Sequence, residues 1–210
     1  MSLAFQDLFS VPDAFRGVPM PGRTDVRILG DAVLAHGVPS DSPALASFPR
    51  VYIDRLAGEL DKPGPRKGVM PGVRALLDTL SGRADVHLAL LTGNYRAAAQ
   101  LKLEYFDLWR YFRGGAFADD AADRNALLPR AIAHVAQSGG PSVAASDAIV
   151  IGDTPLDVAC AKASGARSIA VATGSHSIEE LRACGADVVF EDLADTDAVL
   201  AALGLPTVAR

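Results

Sequence analysis

Only two cysteines, Cys160 and Cys184, stand among the 210 residues. So few, set far apart in helical patterns, exclude a disulfide framework and fit a reducing cytoplasm. No apolar run approaches the roughly 18 residues of a membrane span. Met1 to Asp7 lacks the basic-then-apolar layout of a secretion signal. Basic residues are the minority: 20 Lys and Arg face 25 Asp and Glu, for a net charge of −5 and a pI near 5.3. That balance argues against nucleic acid or an anionic membrane as main partner. Internal repeats, low-complexity segments and the G-x-G-x-x-G and G-x-x-x-x-G-K-[ST] loops are also missing, which disfavours the common doubly wound nucleotide binders. What is present is core-forming material. Half the residues are hydrophobic and the mean hydropathy is +0.20, enough for one α/β domain with a modest insertion.

The first eighty or so positions read as helical. Thr24 and Asp25 open an amphipathic stretch through Val26, Leu29, Val33 and Leu34, closed by Gly37. Ser42, with Pro43 at the first helical position, opens a second helix, which Pro49 is expected to kink or split. Asp61 to Gly68 is a linker by composition, and a third helix follows Pro71. Strands and helices then alternate. Val86–Leu91, Ala148–Ile151, Ser168–Ala172 and Asp187–Phe190 read as strands. Asn94–Leu103, Arg124–Ala136, Leu156–Ser164 and Asp195–Leu203 read as helices, and Ser177 with Glu180 forms a capping box for another. Strands this apolar, separated by helices, predict a Rossmann-like parallel sheet covered by helices. The expected division is a small helical cap over residues 1–68 and an α/β core over 69–210.

The run Ala148-Ile149-Val150-Ile151-Gly152-Asp153-Thr154-Pro155-Leu156-Asp157 is the most informative piece. An apolar strand ends at Gly-Asp, turns at Thr-Pro and enters a helix bearing a second carboxylate, which is how open α/β sheets build sites. Asp153 and Asp157, four residues apart, repel unless a cation or a shared proton lies between them. Carboxylate oxygens of this kind suit Mg²⁺. A solvated loop in which Asp153 caps the helix is the alternative. Thr92, at the end of another apolar strand, offers a hydroxyl beside the N–H groups of Gly93 and Asn94, a natural phosphate cradle. Arg124 opens a helix, where a cation calls for an anion or a carboxylate partner. Asp119, Asp120 and Asp123 are the nearest acids in sequence. The four histidines, His36, His87, His134 and His176, are scattered and read as structural.

The ordered set Leu90-Leu91-Thr92-Gly93-Asn94, a basic residue before a helix, and Ile151-Gly152-Asp153-Thr154-Pro155-Leu156-Asp157 resembles the haloacid dehalogenase-like hydrolases. Gly22-Arg23-Thr24-Asp25 and Met70-Pro71-Gly72-Val73 look like the phosphoglycolate-phosphatase-like branch. The resemblance covers nearly the whole chain and implies Mg²⁺-dependent hydrolysis of a small phosphorylated metabolite through an aspartyl-phosphate. It assigns the phosphoryl group to Thr92, Gly93, Asn94 and Arg124, with Arg23 reaching in from the cap. Asp153 and Asp157 would serve the metal. The usual Lys-Pro pair reads Arg124-Asn125 here, and Lys102 is a rival basic residue.

One motif of that family, a strand ending in Asp-x-Asp-x-Thr, is not found. Its first Asp is the nucleophile. The resemblance begins at Ala4-Phe5-Gln6-Asp7-Leu8-Phe9, part-way into the first cap helix, as though the chain started late, and Met1-Ser2-Leu3 could be a vector scar. The family's absent strand is central, between those bearing Thr92 and Asp153. The expectations are therefore an inactive polypeptide and a sheet with unpaired backbone, which could close up, borrow a strand from a second copy as a homodimer, or stay only partly stable. The other function class open here is a noncatalytic phosphate-binding protein.

Overall fold

The computed structural model describes residues 1–64 and 67–206, and among the described residues up to position 81 it has four helices and no strand. Residues 65 and 66 of the expected linker lie outside the described part. The helices are α1 (Ser2–Phe9), α2 (Asp25–Ala35), α3 (Pro43–Glu59) and α4 (Val73–Ser81). α2 starts where the Thr24 hydroxyl accepts the Arg27 N–H at 3.2 Å. Beyond its end the chain turns at Gly37, whose φ of +63° suits a residue without a Cβ. α3 runs unbroken across Pro49, contrary to the expected break. Phe48 and Tyr52, on either side, are buried in one cluster with Phe5, Phe15 and Ile28. That burial outweighs the single backbone bond proline forfeits. Tyr95 and Ala98 belong to the same cluster, so the early helices rest on the segment that follows Thr92.

Five short strands follow: β1 (Leu90–Leu91), β2 (Gly115–Ala116), β3 (Ile149–Gly152), β4 (Arg167–Val171) and β5 (Val188–Phe190). Between and after them lie α5 (Arg96–Tyr105), α6 (Leu127–Gln137), α7 (Pro155–Ala163), α8 (Ile178–Ala183) and α9 (Thr196–Ala202). All pairings are parallel, in two separate sheets, β1-β2 and β3-β4-β5. The fold is the expected helix-covered parallel α/β class, and among the described residues no strand precedes Leu90 or lies between β1 and β3 in a shared ladder. Two strand readings are corrected. The strand expected over Val86–Leu91 contracts to Leu90–Leu91, because a ladder forms on one side only. β2 was not legible, being two residues long and glycine-led, with Gly114 and Gly115 at φ +139° and +153°.

Between β1 and β3 runs an apolar slot of about 810 Å³, lined by Leu76 and Leu80 of α4, Ile132 of α6, and Leu91, Ile149 and Ile151 from the two strand edges. Ile151 is 38% exposed. For an isoleucine in a helix-covered parallel sheet that is high, and the open slot is the reason.

Candidate active site

Thr92 follows β1 directly, its N–H donating to the Ala116 carbonyl at 3.1 Å. Its hydroxyl accepts the Asn94 N–H at 3.2 Å, while no bond among the described residues takes the Gly93 N–H. Asn94 does not cap α5, which begins two residues later after Tyr95. Its amide instead donates to Asp25 at 3.3 Å and accepts from the Lys102 ammonium at 3.0 Å. Asp25 performs the capping from a distance, accepting the Tyr95 N–H at 2.9 Å. Burial holds the Asp25 carboxyl above the usual carboxylate range, against the Tyr95 N–H, Lys102 and Asn94. Burial likewise pushes the Lys102 ammonium down, with Asp25 opposing it. Lys102 is thus a half-buried member of a polar cluster and not an open cation.

At the second sheet, β3 ends at Gly152, and the Asp157 carboxylate lies against that glycine so closely that a Cβ there would overlap it. Thr154, not Asp153, precedes α7 as its cap. Both its N–H and its hydroxyl donate to one Asp157 oxygen, at 3.0 and 2.8 Å. The other Asp157 oxygen accepts from the Arg124 guanidinium in a buried ion pair. Arg124 therefore finds its carboxylate partner across the fold and not in Asp119, Asp120 or Asp123. It also donates to the Gly22 carbonyl at 2.9 Å, and its Nε is buried with no partner. A largely buried guanidinium whose Nε has no partner suits an anion. Asp153 stays exposed. Its pKa is raised by the surrounding protein and by the Asp157 charge, with the Arg124 charge opposing.

The turn Gly22–Asp25 ties these loops together. The Asp25 N–H donates to the Gly93 carbonyl at 2.6 Å, the Thr24 hydroxyl to the Ala122 carbonyl at 2.6 Å, and Gly22 abuts Thr154. Thr92, Gly93, Asn94, Arg124 and Thr154 thus border one four-residue turn at the carboxyl edge of both sheets. Arg23 lies on that turn, but its guanidinium is spent on Asp31 at 2.7 Å and the Pro19 carbonyl at 3.0 Å. The parts missed from sequence are Gly22, Thr24, Asp25 and Thr154, which contribute carbonyls, caps and close packing. The Gly-Arg-Thr-Asp resemblance contained the first three and the Gly-Asp-Thr-Pro run contained Thr154, but neither assigned them a role.

Magnesium fits poorly with the described residues alone. No group of three or more His, Cys, Asp or Glu side chains among them is placed to hold a metal. Asp157 has both oxygens engaged, which leaves Asp153 as the one open carboxylate of the pair.

A parallel α/β fold with loops from two strand ends meeting at one edge defines the class. Residues 117–196 match the family described as HAD-hydrolase-like. The phosphoglycolate phosphatase of Rhodospirillum rubrum is 34% identical over 134 residues, which are 63% of this chain and 54% of that protein. The Dickeya dadantii protein named "Probable phosphatase IndB" is 29% identical over 127 residues, 60% of this chain and 54% of its own length. The chain thus spans about half the length of the curated relatives it matches. Among solved structures, a predicted phosphoglycolate phosphatase from Haemophilus somnus superposes with a TM-score of 0.66 at 16% identity, covering 94% of this chain and 87% of that one. A β-phosphoglucomutase from Clostridium difficile gives 0.66 at 14% identity, with 96% and 88% covered. At such identities the superpositions speak for the fold alone. By segment, relatives and fold, the chain is similar to the haloacid dehalogenase-like hydrolases and has phosphoglycolate-phosphatase-like relatives. No helix among the described residues is long and apolar enough to cross a membrane.

Proposed function

We propose that this chain carries the phosphate-gripping part of a haloacid dehalogenase-like phosphatase for a small phosphomonoester, with residues 1–68 as its cap and 69–210 as its core. The observation that carries the reading is the buried Arg124 guanidinium, anchored by Asp157 and Gly22 with its Nε unpaired, on the turn that also holds the Thr92-Gly93-Asn94 loop. On this reading the Thr92 hydroxyl and the Gly93 N–H hold phosphoryl oxygens, Arg124 balances their charge, and Asn94 fixes the loop. Asp157 acts on Arg124, and Arg23 reaches substrate only by releasing Asp31. Magnesium would bind only once further oxygen ligands join Asp153. Two free cysteines suit the cytoplasm as its compartment.

Hydrolysis through an aspartyl-phosphate needs an open carboxylate facing the phosphate. The nearby acids other than Asp153 are engaged: Asp25 with Tyr95 and Asn94, Asp31 with Arg23, Asp119 with the Arg96 N–H, Asp120 with the Phe117 N–H, and Asp123 with the Asn125 N–H. The same count favours the second reading, a phosphate binder without turnover. The polypeptide of residues 1–210 is therefore expected to release no phosphate from a panel of small phosphomonoesters with magnesium present. Turnover abolished by Asp153→Asn would overturn that expectation.

A further inference from the structure

Lys102 of α5 places its ammonium 3.0 Å from the Asn94 side-chain oxygen, and among the described residues no other side-chain hydrogen bond reaches it. The same Asn94 amide donates to the Asp25 carboxylate at 3.3 Å. An ammonium can only donate and an ionised carboxylate can only accept, so the two hold that amide in one orientation. Asp25 then reaches the backbone on both sides of Asn94. Its N–H donates to the Gly93 carbonyl at 2.6 Å, and its carboxylate accepts the Tyr95 N–H at 2.9 Å. The Asn94 carbonyl accepts the Ala118 N–H at 2.9 Å, and the Tyr95 carbonyl accepts the Ala99 N–H. The Asn94 N–H goes to the Thr92 hydroxyl oxygen, which leaves that hydroxyl its own proton to give. Among the described residues, every backbone polar group from Gly93 to Tyr95 is therefore bonded except the Gly93 N–H.

We propose that Lys102 is a positioning residue for the phosphate grip. Through the Asn94 amide it fixes the loop in the conformation that leaves the Thr92 hydroxyl proton and the Gly93 N–H free to meet an anion. A charge is costly to keep in these surroundings. Burial pushes the Tyr52 and Tyr95 hydroxyls up, with the Asp25 charge adding to it, and burial holds the Lys102 ammonium down. An ammonium that only filled this space could be replaced by an apolar side chain of similar length without loss of stability. What the ammonium supplies and an apolar chain cannot is a donor for Asn94. Its charge is opposed by Asp25, so its effect on an anion runs through that hydrogen bond and not through long-range attraction. The inference rests on the reading of Thr92 and Gly93 as anion donors, and it assigns the hold on them to a residue of α5 that touches neither.

The test uses the isotope-labelled whole chain with inorganic phosphate as the probe, in the parent, Lys102→Met, Lys102→Arg, Asn94→Ala and the double variant. Without phosphate, Lys102→Met should shift the Gly93 and Asn94 amide resonances and speed amide exchange at Asn94 and Tyr95. Lys102→Arg, which keeps a donor for Asn94, should restore most of the parent's behaviour. With phosphate, Lys102→Met should weaken binding roughly tenfold. The deciding comparison lies in the Asn94→Ala background, where Lys102→Met should change neither the loop nor the affinity further, since residues that act through one bond are not additive. Circular dichroism checks folding, and Lys102→Gln, a shorter neutral side chain, takes the place of Lys102→Met if that variant does not fold. A full additive loss in the Asn94→Ala background, or an unaltered loop in Lys102→Met, would overturn the proposal. A parent that binds no phosphate but shows the loop changes would refute the anion reading and leave the hold of Lys102 on the loop demonstrated.

Discussion

Asp157 has three contacts that a mutation can separate. Its carboxylate receives two donors from Thr154 and one from Arg124, with side chains 7% exposed for Asp157 and 13% for Arg124. Removing one member of a buried ion pair leaves the other charge uncompensated, so Asp157→Asn should cost about 3 kcal/mol, read from urea unfolding. Asp25 makes a pH prediction. Its folded pKa is raised, so the stability it lends is complete below its unfolded value near 4 and is lost as pH rises through the folded one. Relative to Asp25→Asn, the parent should therefore lose stability as pH climbs from about 4 toward neutrality. A constant difference between the two proteins across that range would contradict it. Asp153 was legible as a strand-end acid because Gly-Asp-Thr-Pro interrupts an apolar run. The Asp157–Arg124 pair was not, because its members are separated by a strand and a helix and only the fold joins them.

Elements show which local signals decide. The Ser177–Glu180 capping box forms as read, with bonds of 2.8 and 3.2 Å, and Gly165 turns the chain after α7 at φ +73°. Such signals act within one turn, so sequence alone reveals them. Pro49 misled because a propensity of that kind yields to tertiary burial of Phe48 and Tyr52. Its residual cost is the unmade bond to Leu45, and Pro49→Ala should stabilise the chain by about 1 kcal/mol, measured by thermal or urea unfolding. A loss of stability would mean that proline's restriction of the unfolded chain outweighs the missing bond. β1 and β2 escaped a correct reading for the opposite reason. A strand's extent depends on its neighbours, and among the described residues β1 has a ladder partner on one side only.

For the whole molecule, the alternating rhythm after position 85 was enough to give the parallel class, the helical cover and the places of the later strands along the chain. It could not show that the sheet divides in two, nor that Gly22–Asp25 gathers the loops of both halves. Around that turn the Gly93 N–H and the Arg124 Nε have no partner among the described residues, and Asp153 is the one nearby acid not engaged. The central claim is that Thr92, Gly93 and Arg124 grip one phosphate group. It is tested most directly by titrating isotope-labelled chain with inorganic phosphate and following amide and arginine Nε resonances. The account predicts saturable shifts confined to Gly93, Asn94, Asp153, Thr154 and the Arg124 side chain, weakened at least tenfold by Thr92→Val. Shifts scattered over surface arginines, and unaltered by that substitution, would contradict it.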